Sequence, residues 1–336
     1  MLLLMHKDTI EKTCDTLSAN QKIDLLSFLE ERQLNLSRKY LKEILATCKI
    51  SKQDVLEIAK VSNALSFTDH YWLKTSNDQT WSNMNLFDNE FNKQVEITSI
   101  TGNVFNITDK IYTGELCLKG TRAKCIQRNN GELYLIKELS QREALNEVLA
   151  SEILECLNIK HAIYKYYVND GTHYSISPLF TNSGTELIHY RQLMNNNNEN
   201  EMSINTKSYK YLEANYLYDL FTMLLFDFLT LNIDRNRDNF GLIDKDGKEL
   251  FAPLYDHDSC FKGKSLKAHY FVTGTTFEEV LNLLKVYNSI IHYNKKHLNN
   301  LTTFVNSEKV RILLSTDYDA FCQRIQLLRT TFNENV

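Results

Sequence analysis

The sequence predicts an α+β protein with two lobes, a small sheet-rich lobe followed by a mainly helical one. Two hairpin signals on either side of a helix-forming stretch predict the small lobe, with five strands and one helix between residues 63 and 183. A long apolar stripe at helical spacing predicts the helical lobe, residues 184–336. Residues 1–62 carry helical patterns, and we expect them to form extra helices that pack on the small lobe.

Composition indicates a globular protein. Of the 336 residues, 43% are hydrophobic and only 10 are Gly and 2 Pro, which argues against a disordered or fibrous chain. The net charge of -4 gives no general attraction to nucleic acid or to an acidic membrane. We therefore expect neither direct nucleic-acid binding nor membrane association.

Cysteine usage and the apolar segments bear on location. The 7 cysteines form no CxxC pair, which is typical of reduced thiols in a cytosol. The start, MLLLMHKD, is too short an apolar run for a signal peptide, and the longest apolar segment, LYDLFTMLLFDFLTL, is interrupted by two Asp residues. These features predict a cytoplasmic protein.

The small lobe is predicted from its turns. LCLKG, AKCIQR and ELYLIKEL read as strands, and the Asn130-Gly131 pair supplies the positive φ angles of a two-residue hairpin. Ser140 is the expected cap of the helix that follows, and AIYKYYV and THYSISPLF form the second hairpin. Residues 180–187 are expected to link the lobes. In outline this is the small lobe of a protein kinase.

The segment NIDRNRDNFGLI carries the first group of candidate site residues. Phosphoryl transfer needs an acidic group for the proton of the attacking hydroxyl and oxygen ligands for Mg²⁺. Asp234 is the candidate base, and Asn239, five positions on, is a candidate metal ligand. Asp256, in APLYDHDS, is the second candidate metal ligand. The alternative for each residue alone is an ordinary turn or capping role.

Lys137 ends the strand YLIK and is the candidate cation for the α and β phosphates of ATP. Because side chains alternate along a strand, Leu135 shares its face and is placed to line an adenine pocket. Glu147, on the next helix, is the expected ion-pair partner of Lys137, although Glu143 and Glu152 compete for that role. A solvated edge lysine is the alternative for Lys137.

The loop before the first hairpin and the linker after the second supply further candidates. Gly120 lets backbone N–H groups approach phosphate, and Lys124 lies on the strand that follows. Phe180, at the start of the linker, completes the expected nucleotide-binding residues.

Together these residues resemble the HipA-like serine/threonine kinases, a family founded on the toxin of a bacterial toxin-antitoxin pair. GTRAK is similar to the family's phosphate loop, YLIKEL to its nucleotide-binding strand, DRNRDNFG to its catalytic motif and APLYDHDS to its metal-binding segment. LSFTDHYWL is similar to the shorter, stand-alone members. The resemblance implies a protein-kinase-like fold, ATP and Mg²⁺ as cofactors, a protein substrate with a Ser or Thr acceptor and a possible small antitoxin partner.

The sequence departs from the family at three places. The family's His two places after the base is Asn236 here, so Arg235 or Arg237 is expected to steady the transferring phosphate, with Arg235 the first choice. The toxin's regulatory Ser falls at Cys117, for which Thr113 and Thr121 are possible substitutes. The chain is also expected to lack the toxin's full amino-terminal subdomain.

Two other functions remain open. Asp-Arg-x-x-x-Asn followed by Asp-His also resembles phosphoinositide kinases, which implies a lipid or small-molecule kinase, although no polybasic cluster near the motif favours lipid headgroups. A kinase-like fold kept only for protein contacts is the third reading. The presence of Lys137, Asp234, Asn239 and Asp256 together favours an active enzyme.

Overall fold

The computed structural model describes the chain in four stretches, residues 2–13, 19–51, 54–263 and 265–333. The chain divides into two compact units. The first comprises Met1–Leu139 and Asn169–Glu186, and the second comprises Ser140–Val168 and Leu187–Val336. No helix in the described stretches is both long enough and apolar enough to cross a membrane. Cys14 lies outside the described residues.

The first unit begins with an antiparallel sheet of the order β2-β1-β3. Its strands are β1 (Leu3–His6), β2 (Thr9–Thr13) and β3 (Tyr71–Lys74). The expectation of helices alone up to about residue 60 is therefore wrong for the first 13 residues. Three successive apolar residues, Leu3 to Met5, are all buried in β1. Such a short unbroken apolar run fits a buried strand and a buried helix equally well, so its sequence could not decide.

The described residues of the first unit also form five α-helices: α1 (Ala19–Glu30), α2 (Leu41–Thr47), α3 (Val55–Val61), α4 (Trp81–Met84) and α5 (Lys93–Thr101). Helix α3 is capped by Asp54, which accepts a hydrogen bond from the Glu57 N–H at 2.8 Å. Asp is among the residues preferred at a helix N-cap, so the local sequence accounts for the start of α3. Helices α4 and α5 lie between residues 63 and 183, so that region holds more than the single helix expected.

A second sheet has four strands in the order β4-β5-β7-β6. They are β4 (Lys124–Asn129), β5 (Glu132–Leu139), β6 (Lys165–Asn169) and β7 (Thr172–Pro178). The turn between β4 and β5 has φ angles of 51° at Asn130 and 83° at Gly131. Asn-Gly is the pair that adopts this left-handed turn most readily, which confirms the predicted hairpin.

The fifth strand expected in this sheet is absent from the described residues. LCLKG overlaps a short 3-10 helix, Glu115–Cys117, and the chain turns at Gly120, where φ is 97°. Successive residues from Thr113 to Leu116 are all buried. A strand with one solvent-exposed face would show alternating buried and exposed residues. The unbroken burial of this segment therefore reflects a packed turn and not a strand.

The second unit is mainly helical. Its helices are α6 (Gln141–Cys156), α7 (Tyr190–Asn196), α8 (Lys207–Asn215), α9 (Leu217–Thr230), α10 (Phe277–Ile291), α11 (Lys295–Val305), α12 (Glu308–Leu314) and α13 (Tyr318–Asn333). Ser140 and Glu143 form a capping box at the start of α6, which confirms the predicted cap. The predicted stripe of α9 lies in the core of this unit, since Leu220, Phe221 and Leu224 are all 0% exposed.

Short strands complete the second unit and the chain segment that enters it. A sheet of the order β10-β9-β8 consists of β8 (Thr185–His189), β9 (Gly241–Lys245) and β10 (Lys248–Phe251). A two-stranded pair joins β11 (His269–Tyr270) and β12 (Thr275–Thr276). The expected linker at residues 180–187 therefore ends inside strand β8.

One buried carboxyl group makes the stability of the first unit depend on pH. Burial of Glu115 raises the pKa of its carboxyl to about 8, although the Ile126 N–H and the nearby Arg38 favour its charged form. The folded chain therefore keeps this proton up to about pH 8. The unfolded chain loses it near pH 4.3, so this contribution to stability falls as pH rises between those values.

Glu115→Gln, which cannot ionise, is expected to flatten this pH dependence. Between pH 5 and pH 8 the free energy of unfolding of the unsubstituted protein should fall by roughly a few kcal/mol relative to that of the variant. Chemical denaturation at several pH values measures the difference. Glu90→Gln is the matched control, since that side chain is 88% exposed. Parallel pH profiles for Glu115→Gln and the unsubstituted protein would contradict the assignment.

Candidate active site

The predicted catalytic loop begins where α9 ends. Leu231 adopts a left-handed conformation at the helix C-cap, with φ of 45°. Asp227, in the last turn of α9, is fully buried and accepts hydrogen bonds from Asn232 at 3.2 Å and from the Tyr270 hydroxyl at 2.6 Å. Arg235 donates to the same carboxylate through Nε at 2.9 Å and Nη2 at 3.0 Å. This buried carboxylate anchors the loop to the helical core.

Arg235 also connects the two segments that carry the candidate site residues. Its Nη1 donates to the Asn239 carbonyl at 2.7 Å and to the Tyr255 carbonyl at 2.8 Å. Burial disfavours the charged guanidinium, but Asp227 outweighs this effect and raises the pKa of Arg235 above its ordinary value. The charged Arg235 guanidinium therefore holds two backbone segments together. Its Nη1 atom contacts both Asn239 and Tyr255, the residue directly before Asp256.

These contacts correct the expected role of Arg235. Its side chain is 1% exposed, and its donors are directed at Asp227, at the two carbonyl groups and at His257 Nδ1, 3.4 Å from Nη2. A guanidinium used in this way has no donor directed at a phosphate. Arg235 is thus a positioning residue. Arg237, whose side chain is half-buried, remains as the alternative named from the sequence.

Asp234 is exposed to solvent, as a group that meets a substrate hydroxyl must be. Although the side chain reaches solvent, protein atoms shield part of its carboxyl group from water, and this desolvation raises the pKa of Asp234. The negative charges of Asp256 and Asp258 raise it further. Asn236 lowers the pKa by donating Nδ2–H to Oδ1 of Asp234 at 3.1 Å. Asn236, at the position of the family's His, therefore contacts the candidate base itself.

Asn239 is held by the same loop. Its Nδ2 donates to the Asp234 carbonyl at 2.8 Å, which directs the amide oxygen away from that carbonyl. Next to it, Asp238 forms a two-bond ion pair with Arg191, including a 2.7 Å hydrogen bond from Nε. The amide oxygen of Asn239 is the atom type that Mg²⁺ prefers.

Gly241 ends the motif for a steric reason. A Cβ atom at this position would lie 2.1 Å from the Ile188 carbonyl oxygen of β8. Only glycine permits this approach, which packs β9, the strand after the predicted catalytic loop, against β8. The close packing of β9 against β8 therefore accounts for the glycine in DNFG.

Asp256 belongs to a group of three carboxylates. Its φ is 59°, and its N–H donates to the Tyr164 hydroxyl at 2.9 Å. Ligand oxygens of Asp256, Asp258 and Glu147 all lie within 4.8 Å of one another. Carboxylates this close repel one another, and a divalent cation would relieve the repulsion. The residues present therefore fit Mg²⁺.

Asp258 was not among the residues singled out from the sequence. The signal was available in DHDS, where two Asp residues are separated by one position, but such pairs are frequent in turns. Glu147 was expected on the helix after Lys137, and it lies on α6. The ion pair between Lys137 and Glu147 stays a prediction.

The candidates for phosphate binding in the first unit are neighbours in one sheet. Lys124 of β4 and Lys137 of β5 are register partners, so their side chains start from directly opposite positions. Leu135 is the partner of Ile126, two positions along the same face. A Cβ atom on Gly120 would lie 2.7 Å from Lys124 Nζ, so the ammonium lies beside this glycine.

Phe180 and the possible phosphorylation sites also have defined places. Phe180 follows β7 and is half-buried. Thr113 is 0% exposed and its hydroxyl accepts the Glu115 N–H, so it is shielded from modification, whereas Thr121 is exposed. Burial raises the pKa of the Cys117 thiol to about 11.

Solved structures with the same fold are found, although no family model matches the sequence and no curated protein matches it. HipA of Shewanella oneidensis MR-1, solved with HipB and operator DNA, matches over 99% of this chain and 97% of its own, with 13% identity and a TM-score of 0.54. The chain has the fold of the HipA-like kinases. The proinflammatory kinase CtkA of Helicobacter pylori matches over 63% of this chain and 94% of its own, with 17% identity and a TM-score of 0.51.

These matches bear on two expectations. They confirm the predicted resemblance to the HipA-like kinases at the level of the fold. They contradict the expectation that the chain lacks the toxin's full amino-terminal subdomain, because the match spans 97% of the Shewanella HipA chain. The β1 to β3 sheet and helices α1 to α5 were not recognised from the sequence as part of that fold.

Proposed function

We propose that this protein is a two-lobed kinase that uses ATP and Mg²⁺ to phosphorylate Ser or Thr hydroxyls of a protein substrate. The observation that carries the proposal is the connection made by Arg235 between the Asp234–Asn239 loop and the segment leading to Asp256. Phosphoryl transfer depends mainly on the placement of a base and of metal ligands. A buried guanidinium that contacts both segments would supply that placement, and the fold shared with kinases supports the proposal.

In this proposal, Asp234 accepts the proton of the attacking hydroxyl. Its raised pKa favours proton acceptance near neutral pH, and its exposure gives the hydroxyl access. Asn239, Asp256 and Asp258 would hold Mg²⁺ through their oxygen atoms. The bound ion would neutralise charge on the β and γ phosphates. Arg235 holds these groups in place from within the core.

The nucleotide-binding residues are part of the same proposal. Lys137 and Lys124, opposite each other in the sheet, would bind the phosphates, with the backbone at Gly120 beside them. Leu135 and Phe180 would contact the base of the nucleotide. The antitoxin partner stays a prediction, since the complex with HipB belongs to the Shewanella protein.

Phosphate transfer from γ-labelled ATP tests the proposal directly. The full chain is incubated with Mg²⁺ and either a generic protein mixture or vesicles that contain phosphoinositides. Label in protein Ser or Thr supports the proposal, whereas label only in lipid would establish the lipid-kinase alternative. Label in neither, despite binding of Mg-ATP, would indicate a kinase-like binding module.

Asp256→Asn is expected to weaken Mg-ATP binding without unfolding the chain, because Asn tolerates the left-handed conformation found at this position. At 100 times its Kd a ligand stabilises a protein by about 2.7 kcal/mol, which here raises the melting temperature by about 5 °C. The variant should lose most of that rise. Asp246→Asn, at an exposed turn with φ of 52°, is the matched control and should keep it. An unchanged rise in Asp256→Asn would contradict a role for this carboxylate in the metal site.

A further inference from the structure

The first unit contains a second cluster of potential metal ligands, remote in sequence from the catalytic motif. His6 ends β1, His70 directly precedes β3, and Glu186 is the last residue of the unit's second segment. Nitrogen and oxygen atoms of the three side chains lie within 4.8 Å of one another. His6 Nε2 is 2.8 Å from Glu186 Oε1, and His70 Nδ1 is 3.7 Å from Glu186 Oε2.

The surroundings of His70 fix which of its nitrogens faces the cluster. Its Nε2 lies 2.8 Å from the Asn182 carbonyl, which can only accept a hydrogen bond, so Nε2 carries a proton. Nδ1 then faces Glu186 with a lone pair whenever the ring is neutral.

When the His70 ring is neutral, its Nδ1 and the Glu186 Oε2, 3.7 Å apart, both present lone pairs to each other. Nothing binds them directly, because this separation is too long for a hydrogen bond. Glu186 is nevertheless held in place, since its Oε2 accepts the His70 backbone N–H at 3.1 Å. A cation between the two groups would satisfy both. A histidine that donates its far nitrogen to a carbonyl is also the usual arrangement of a metal-bound imidazole.

His6 completes the cluster and gives it access to solvent. Its side chain is 29% exposed, whereas those of His70 and Glu186 are 2% and 12% exposed. Aromatic rings pack around the cluster. The ring centroid of Tyr71 lies 4.6 Å from that of His6, and the ring centroid of Trp81 lies 5.3 Å from that of His70. A cluster of ligand atoms that is partly exposed to solvent and surrounded by aromatic side chains resembles a metal site in which one coordination position is left for water.

We propose that His6 Nε2, His70 Nδ1 and the Glu186 carboxylate bind a divalent transition-metal ion of the zinc class, with water as the fourth ligand. Ligands of a tetrahedral zinc ion, at about 2.0–2.1 Å from the metal, lie about 3.3 Å apart. The observed separations of 2.8 and 3.7 Å lie on either side of that spacing, so small side-chain shifts suffice. Two imidazoles favour zinc over Mg²⁺, which prefers oxygen ligands. The ion would tie β1 and β3 to the start of β8.

Zinc binding to the chelator-treated full chain, without nucleotide, tests the proposal. Titration with Zn²⁺ should show one tight site, and Co²⁺ bound there should give the absorption of a tetrahedral nitrogen-containing site. His6→Gln and Glu186→Gln should each weaken Zn²⁺ binding at least 10-fold and remove the Co²⁺ absorption. His6 is partly exposed, so its variant is expected to fold, and its melting temperature without metal verifies this.

Two control variants separate this site from the rest of the chain. His269→Gln replaces an exposed histidine of the second unit, and Asp258→Asn removes a carboxylate of the candidate magnesium site. Both should bind Zn²⁺ as the unsubstituted chain does. The proposal is overturned if Zn²⁺ does not bind in a one-to-one ratio. It is equally overturned if binding survives in His6→Gln and Glu186→Gln but is lost in Asp258→Asn. If His6 and Glu186 form only a hydrogen-bonded pair, no one-to-one binding of Zn²⁺ will be seen.

Discussion

Asp234→Asn is expected to lower the rate of phosphate transfer by about 10²- to 10⁴-fold, the usual contribution of a positioned general base. The amide is nearly isosteric with the carboxyl, so the loop and its hydrogen bonds should persist. Since Asn239, Asp256 and Asp258 are unchanged, the rise in melting temperature with Mg-ATP should also persist. Incorporation of labelled phosphate and thermal unfolding, measured on the same preparation, report the two properties.

Asp246→Asn is again the matched control, because it makes the same chemical change at an exposed hairpin turn. It should leave the transfer rate unchanged. A rate for Asp234→Asn within a few-fold of that of the unsubstituted protein would show that another group is the base, or that no base is needed.

Arg235→Met is expected to cost about 3–5 kcal/mol of folding stability, because it leaves Asp227 as a buried charge without its cation. The two carbonyl groups of Asn239 and Tyr255 also lose their shared donor. Chemical denaturation measures the loss. Activity should fall with the placement of the loop, even at temperatures where the variant is still folded.

Arg237→Ala is the matched control for this effect, since it removes an arginine from the same loop whose side chain is half-buried. Its free energy of unfolding should change by less than about 0.5 kcal/mol. If the two variants are equally stable, the network around Asp227 does not hold the loop in the way described.

Local signals in the sequence predicted much of this fold. The Asn130-Gly131 turn, the Ser140 cap and the apolar stripe of α9 each depend on a few neighbouring residues, so the pattern and the structure agree. The spacing of Asp234 and Asn239 also follows from one loop. These features need no knowledge of distant parts of the chain.

Features that depend on distant contacts could not be predicted in the same way. Nothing in DRNRDN distinguishes Arg235 from Arg237, and only the position of Asp227 in the folded core makes one of them buried. Asp258 joins the carboxylate group because α6 brings Glu147 to it. The His6 and His70 cluster likewise depends on the pairing of β1 with β3, which the sequence did not reveal.

The backbone at Asp256 makes the choice of substitution important there. Asn, like Asp, tolerates the left-handed conformation, whereas most other residues with a side chain pay about 1–2 kcal/mol for it. Asp256→Ala would therefore change the backbone energy together with the charge, and a loss of nucleotide binding could come from either. Asp256→Asn keeps the backbone conformation and removes only the negative charge, so its effect reports on the carboxyl group.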